Sequence, residues 1–191
     1  MSDHWPDFYF LRHGETDGNK QVLAIGQMDI PLNDTGLVQA HDAAIVLAES
    51  DINRVITSPL SRARETAEIV NDKLQVPLTD HAGLMERSVG AWSGKPYADL
   101  CAAFGVSLED RHQIDFTQIE GAETFAQLRI RMSNALSEIF QKYADDRLLI
   151  VAHGGLFFEL HQMLCGTVAR SDNAVPYKFA KVNNQWQVHT L

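Results

Sequence analysis

The stretch FYFLRHGET, residues 8–16, decides how the chain is read. Four apolar residues, Phe8 to Leu11, give way abruptly to Arg12, His13 and Gly14. A short, aromatic-rich run bounded by Pro6 and Gly14 predicts a strand over 7–12. The same order recurs in RLLIVAHGG (147–155), where an apolar strand again ends in His-Gly at His153-Gly154. A third short strand, NRVITS (53–58), runs into PLSRAR (59–64).

Helical patterns separate these strands. In residues 31–50, Leu37, Ala40, Ala44 and Leu47 trace one face, with Asp34 or Thr35 as caps. Ser58 followed by Pro59 predicts an N-cap and first helical residue for a helix reaching Leu74, with Ala63, Ala67, Val70 and Leu74 inward. QVPLTD (75–80) reads as an edge strand because of its proline. From Glu123 to Tyr143, Phe125, Leu128, Met132, Leu136, Ile139 and Tyr143 mark a strong amphipathic helix. Residues 156–166 read as a helix ending in glycine, and 177–191 as a hairpin turning at Asn183-Asn184. The order strand, helix, strand, helix implies an α/β fold with a mostly parallel sheet covered by helices on both faces, over a single domain spanning 1–191.

Composition narrows the function. The 191 residues carry a net charge of −9, which argues against a broad nucleic-acid or anionic-membrane surface. Two cysteines, Cys101 and Cys165, form no disulfide framework and no metal spacing, which predicts a reducing compartment and a cytoplasmic location. No apolar run approaches the length of a membrane span, and the first ten residues lack a signal-peptide pattern. Nothing in the pattern fixes an oligomeric state.

In a sheet of this kind ligands bind beyond the carboxyl ends of the strands. That rule gathers Arg12, His13, Ser58, Arg62, His153 and Gly154 in one crevice. Arginines bind oxyanions through forked donors. Burial beside them disfavours a second positive charge and keeps an imidazole neutral near pH 7. A neutral ring nitrogen facing an arginine-held phosphate can attack phosphorus in line, and Gly14 is expected to leave that approach open. Zinc at His13 and His153 is the weaker reading: the arginines repel a dication, and no carboxylate or cysteine set completes a shell. No G-x-S-x-G elbow suggests a serine hydrolase. His4, His41, His81, His112, His161 and His189 read as packing or surface residues.

The ordered strings LRHGETDGN (11–19), GQMDIPLNDTG (26–36), TSPLSRARETA (57–67), LMERSVGAWSG (84–94) and IVAHGG (150–155) resemble the histidine phosphatase superfamily over nearly the whole chain. The resemblance implies a three-layer α/β/α sandwich like that of phosphoglycerate mutases. It implies a histidine acid phosphatase-type phosphoric monoester hydrolase acting on a small phosphorylated substrate, with no metal and no cofactor. By position it makes His13 the nucleophile and Glu86 the general acid. Arg12, Arg62 and His153 become the phosphate pocket, joined by Asn19, Gln27 and Gly154. Residues 90–122 become a lid that selects substrate.

Two departures weigh against mutase-type transfer. The interval 95–122 is short, with Lys95 and Arg111 as its cations, and ERSVG has Val89 where mutases carry tyrosine. WSG and GAET depart from common phosphatase strings and leave the substrate class open. The alternatives are a phosphoglycerate mutase and a phosphate-binding regulatory module without turnover.

Overall fold

A computed structural model of the chain describes residues 4–191. Its strands are β1 (Phe8–Arg12), β2 (Leu23–Ala24), β3 (Arg54–Thr57), β4 (Leu78–Asp80), β5 (Lys95–Pro96), β6 (Leu148–Ala152), β7 (Pro176–Val182) and β8 (Gln185–Thr190). The helices are α1 (Asp17–Lys20), α2 (Asp34–Leu47), α3 (Ser61–Leu74), α4 (Tyr97–Phe104), α5 (Phe125–Lys142) and α6 (Gly154–Cys165). The main sheet has the order β4-β3-β6-β1-β7-β8. The first four strands run parallel, and β7 and β8 add an antiparallel edge. A two-stranded ribbon, β2 with β5, stands apart.

Alternation along the strands builds the layers. Phe8 and Phe10 of β1, Ile56 of β3 and Ile150 of β6 share one buried cluster with Leu128, Leu136, Leu156 and Phe157 of α5 and α6. Tyr9, Leu11, Val55, Leu149 and Val151 point the other way, onto Ala43, Leu47, Ala63 and Val70 of α2 and α3. Successive strand side chains face opposite ways, so a continuous apolar run is what a sheet covered on both faces requires. Phe8 stacks flat on Phe179 at 4.9 Å between centroids, which joins the antiparallel edge to the parallel core. A third cluster, of Leu100, Ile114 and Phe116 with Val89 and Ala24, packs the 90–122 segment against the preceding loop and β2.

Several helix starts differ from the sequence expectation. Asn33, not Asp34 or Thr35, caps α2: its Oδ1 accepts from the Gly36 N–H while its Nδ2 donates to Glu15. Leu37 is exposed, because the buried stripe runs through Gly36, Ala40, Ala43, Ala44 and Leu47. Ser58-Pro59 does not start α3. Ser58 stays at the strand end, with its N–H on Val151. The helix begins at Ser61, whose N–H and hydroxyl both donate to Asp29, 32 residues earlier in the chain. That cap comes from a distant loop, so local sequence could not show it. Helix α5 begins two residues later than expected, at Phe125, on a capping box of Thr124 and Gln127. The edge strand is confined to Leu78–Asp80, since Gln75 closes α3 in the left-handed region. The final hairpin turns at Asn183 and Asn184, both at positive φ, as a tight primed turn demands.

Gly14 has a different task from the one expected. A Cβ there would lie 2.4 Å from the Gly36 carbonyl oxygen at the start of α2. The glycine lets two backbones touch, rather than clearing a path to phosphorus. Gly14→Ala should therefore cost about 1–3 kcal/mol through overpacking, read as a lower urea midpoint. An unchanged midpoint would contradict that close packing.

Candidate active site

Three parallel strands end side by side and set the site. The His13 N–H donates to Ala152 and the Ser58 N–H to Val151, which locks the ends of β1, β3 and β6 together. His13, Ser58 and His153 are thereby buried next to one another, and the two imidazole rings lie 5.2 Å apart. Arg62, in the first turn of α3, points back to the same place.

The protonation pattern of His13 follows from its partners. Nδ1 lies 2.7 Å from the Gly14 carbonyl, which can only accept, so Nδ1 carries the proton. Nε2 accepts from the Arg62 Nε–H at 3.3 Å, so it holds the lone pair. Burial, then the charges of Arg12 and Arg62, hold the His13 pKa well below its usual 6.5. Burial also lowers His153, followed by Arg62, His13 and Arg12. Both rings are neutral bases.

That has a consequence for stability. Below pH ~6.5 an unfolded chain takes up two protons that the folded rings refuse, so stability present above that pH is lost as pH falls. The slope is about 1.4 kcal/mol per pH unit for each ring until the depressed folded values are reached. A urea midpoint that falls from pH 7.5 to 5.5 is the expected result. A flat or rising midpoint would contradict two buried neutral rings.

Orphaned polar atoms ring the same point. Arg12 Nε, His153 Nδ1 and Ser171 Oγ are buried without a protein partner. Arg12 Nη1 donates to the Ser171 carbonyl at 2.8 Å, and His153 Nε2 lies 2.7 Å from Ser58 Oγ. Arg62 is fixed by the carbonyls of Gly26 and Met28, both at 2.8 Å. Buried groups this polar are normally satisfied, and a tetrahedral oxyanion supplies the acceptors that these donors lack. Asn19 lines the cleft with its Oδ1 turned to Thr16 and Asn173, which leaves its amide donor available.

Glu86 reaches the cleft from the 84–94 loop. Its Oε1 accepts from the Arg87 N–H at 2.7 Å and its Oε2 from the Gly155 N–H at 3.1 Å. A Cβ on Gly155 would lie 2.3 Å from that carboxylate, so the second glycine of the HGG string makes room for Glu86. Arg87 forms no ion pair with Glu86. Its guanidinium is buried against the rings of Phe116 and Phe125, at 3.6 and 4.1 Å. Arg131 braces the loop from behind, donating to the carbonyls of Gly83, Met85 and Glu86 and to the Glu123 carboxylate.

The cleft encloses about 310 Å³. Arg12, His13, Asn19, Arg62, Glu86 and Gly154 line it, and His153 sits fully buried behind His13. Gln27 is not in the wall; its Nε2 donates to the Glu86 carbonyl at 2.9 Å and so steadies the loop. His112, read from sequence as packing or surface, lines the cleft, as do Arg170, Ser171 and Asn173. Asn173 donates to the His13 carbonyl at 2.9 Å. The 170–173 segment carried no sequence signal, because it follows α6 in an irregular loop and reaches the site only through tertiary folding. Among the described residues no group of three His, Cys, Asp or Glu side chains is placed to hold a metal ion. No helix of the described chain is long and apolar enough to cross a membrane.

The model of the histidine phosphatase superfamily (branch 1) matches residues 8–180. A Bacillus subtilis (strain 168) protein named "Uncharacterized phosphatase PhoE" is 35% identical over 156 residues, covering 82% of this chain and 76% of its own length. The "Probable phosphoglycerate mutase GpmB" of Yersinia pestis (strain Pestoides F) is 29% identical, with 86% and 77% covered. The solved mycobacterial glucosyl-3-phosphoglycerate phosphatase in complex with VO3 shares the fold at a TM-score of 0.82, with 24% identity and 97% of each chain covered.

Proposed function

This chain belongs to the histidine phosphatase superfamily, and we propose that within it the protein is a metal-independent phosphomonoester hydrolase working through phosphohistidine on a small phosphorylated metabolite. The observation that carries the reading is the state of His13: a buried ring with Nδ1–H tied to Gly14 and an unprotonated Nε2 that accepts from the Arg62 Nε–H at 3.3 Å.

In the first step the Nε2 lone pair attacks phosphorus while the ester P–O bond breaks. The departing alkoxide takes a proton from the Glu86 carboxyl. In the second step a water oxygen attacks the phosphohistidine, Glu86 takes its proton, and the P–N electrons return to Nε2. Arg12, Arg62 and His153 stabilise the charge on the equatorial oxygens, which is the greater part of phosphoryl-transfer catalysis. The 90–122 segment acts as the lid, since it supplies Tyr97, Arg111 and His112 to the wall. Unbonded Cys101 and Cys165 support a cytoplasmic location.

The test is a panel of phosphomonoesters with EDTA present. Free phosphate released at an undiminished rate supports the reading, and loss of activity on chelation refutes metal independence. Mutase-type transfer is separated by supplying 3-phosphoglycerate with and without a bisphosphorylated primer. Primer-dependent isomerisation without phosphate release would replace the hydrolase reading.

A further inference from the structure

Charge in the cleft exceeds what one phosphate needs. Five of the ten arginines in this acidic chain line it, at positions 12, 62, 87, 111 and 170, against the single carboxylate of Glu86. A phosphomonoester dianion balances two of those charges, and Glu86, protonated for the first step, balances none. Arg12 and Arg62 belong to the phosphate end, and Arg87 is committed to its two aromatic rings.

The remaining pair is Arg111 and Arg170. Neither forms an ion pair among the described residues. Each donates to a backbone carbonyl of one loop, Arg111 to Leu108 and Arg170 to Glu109, which holds two like charges at a single wall. Their mutual repulsion helps to lower the Arg111 pKa, second to burial. The Arg111 charge is also felt at Arg12. Ser171, next in the chain to Arg170, gives its carbonyl to Arg12. The pair therefore sits within a short molecule's reach of the phosphate. His112, beside Arg111, has a buried Nδ1 without a partner in the same wall. Arg111 is half-buried and Arg170 exposed, so solvent screens their repulsion in the free chain and both guanidiniums stay open to a ligand's counter-charge.

We infer that Arg111 and Arg170, with His112 beside them, bind a second anionic group of the substrate, so that the preferred esters carry a carboxylate or a second phosphate as well as the phosphate to be cleaved. The inference rests on the hydrolase reading above. It also revises the sequence argument from the short 95–122 interval, because one of the two arginines of this subsite comes from outside that interval.

The experiment compares esters matched in skeleton: glycerol 1-phosphate with 3-phosphoglycerate, and glucose 6-phosphate with glucose 1,6-bisphosphate. The wild-type chain should favour the anionic tail by about tenfold to hundredfold in kcat/KM, the worth of a charged hydrogen bond. The first pair tests a carboxylate and the second a phosphate. Arg111→Gln and Arg170→Gln should each cut that preference about tenfold, mainly through KM. Arg111→Lys and Arg170→Lys, which keep the charge, should retain part of it. Equal turnover of both tails by the wild type overturns the subsite and leaves the hydrolase reading standing. Equal losses on both tails in the Gln variants also overturn it, since they mark a loop-bracing role. Failure to release phosphate from any ester ends both.

Discussion

His13→Ala loses at least about 10⁴-fold in phosphate release and takes up no label from substrate. The magnitude exceeds that of one lost charge donor, which costs about 10²–10³, because the variant removes the atom that receives the phosphoryl group. Arg62 and Arg12 would still bind phosphate, so inhibition by inorganic phosphate should survive. The Gly14 carbonyl and the Arg62 Nε–H each lose a partner in this variant. His13→Asn, which keeps a short polar side chain there, guards against mistaking misfolding for lost chemistry. If either variant, properly folded, releases phosphate within tenfold of the wild-type rate, His13 is not the nucleophile.

Glu86→Gln separates the two halves of the reaction. Loss of a positioned acid or base costs about 10²–10⁴. The loss should be near the upper end for alkyl esters, whose alkoxide needs a proton. It should be small in the first step for a nitrophenyl ester, whose phenolate leaves unaided. Water attack on phosphohistidine still lacks its base, so the variant should release nitrophenol in a burst and accumulate phosphoenzyme. Glutamine keeps one oxygen, for the N–H of Arg87 or of Gly155 but not for both, while Gln27 and Arg131 still hold the loop by its backbone carbonyls. Equal slowing for both leaving groups, with no burst, would remove Glu86 from proton transfer.

The sheet and its site were legible in the sequence for one reason. Buried parallel strands must be continuously apolar, so a polar break such as Arg12-His13 or His153-Gly154 can only be a strand end. The parallel order then carries those ends to one edge. What stayed hidden depends on contacts across the fold. Asp29 caps α3 from a distant loop, Arg131 holds the Glu86 loop from the middle of α5, and Arg170 enters from an irregular segment after α6. Each lies in a stretch whose local pattern has another sufficient explanation: a turn, a solvated helix face, a surface loop. The family resemblance placed Glu86 where spacing could not, since an acidic loop residue beside an arginine reads locally as a solvated pair. The structure separates that pair, sending Arg87 onto aromatic rings and Glu86 onto backbone amides.

The central claim is an unprotonated, nucleophilic Nε2 on a buried His13, and its most direct measurement is the site of phosphorylation. Glu86→Gln, mixed with a nitrophenyl phosphate ester and quenched in alkali, should carry acid-labile phosphate on His13, attached at Nε2. Phosphate mapped to any other residue, or none trapped while burst release proceeds, would contradict the account.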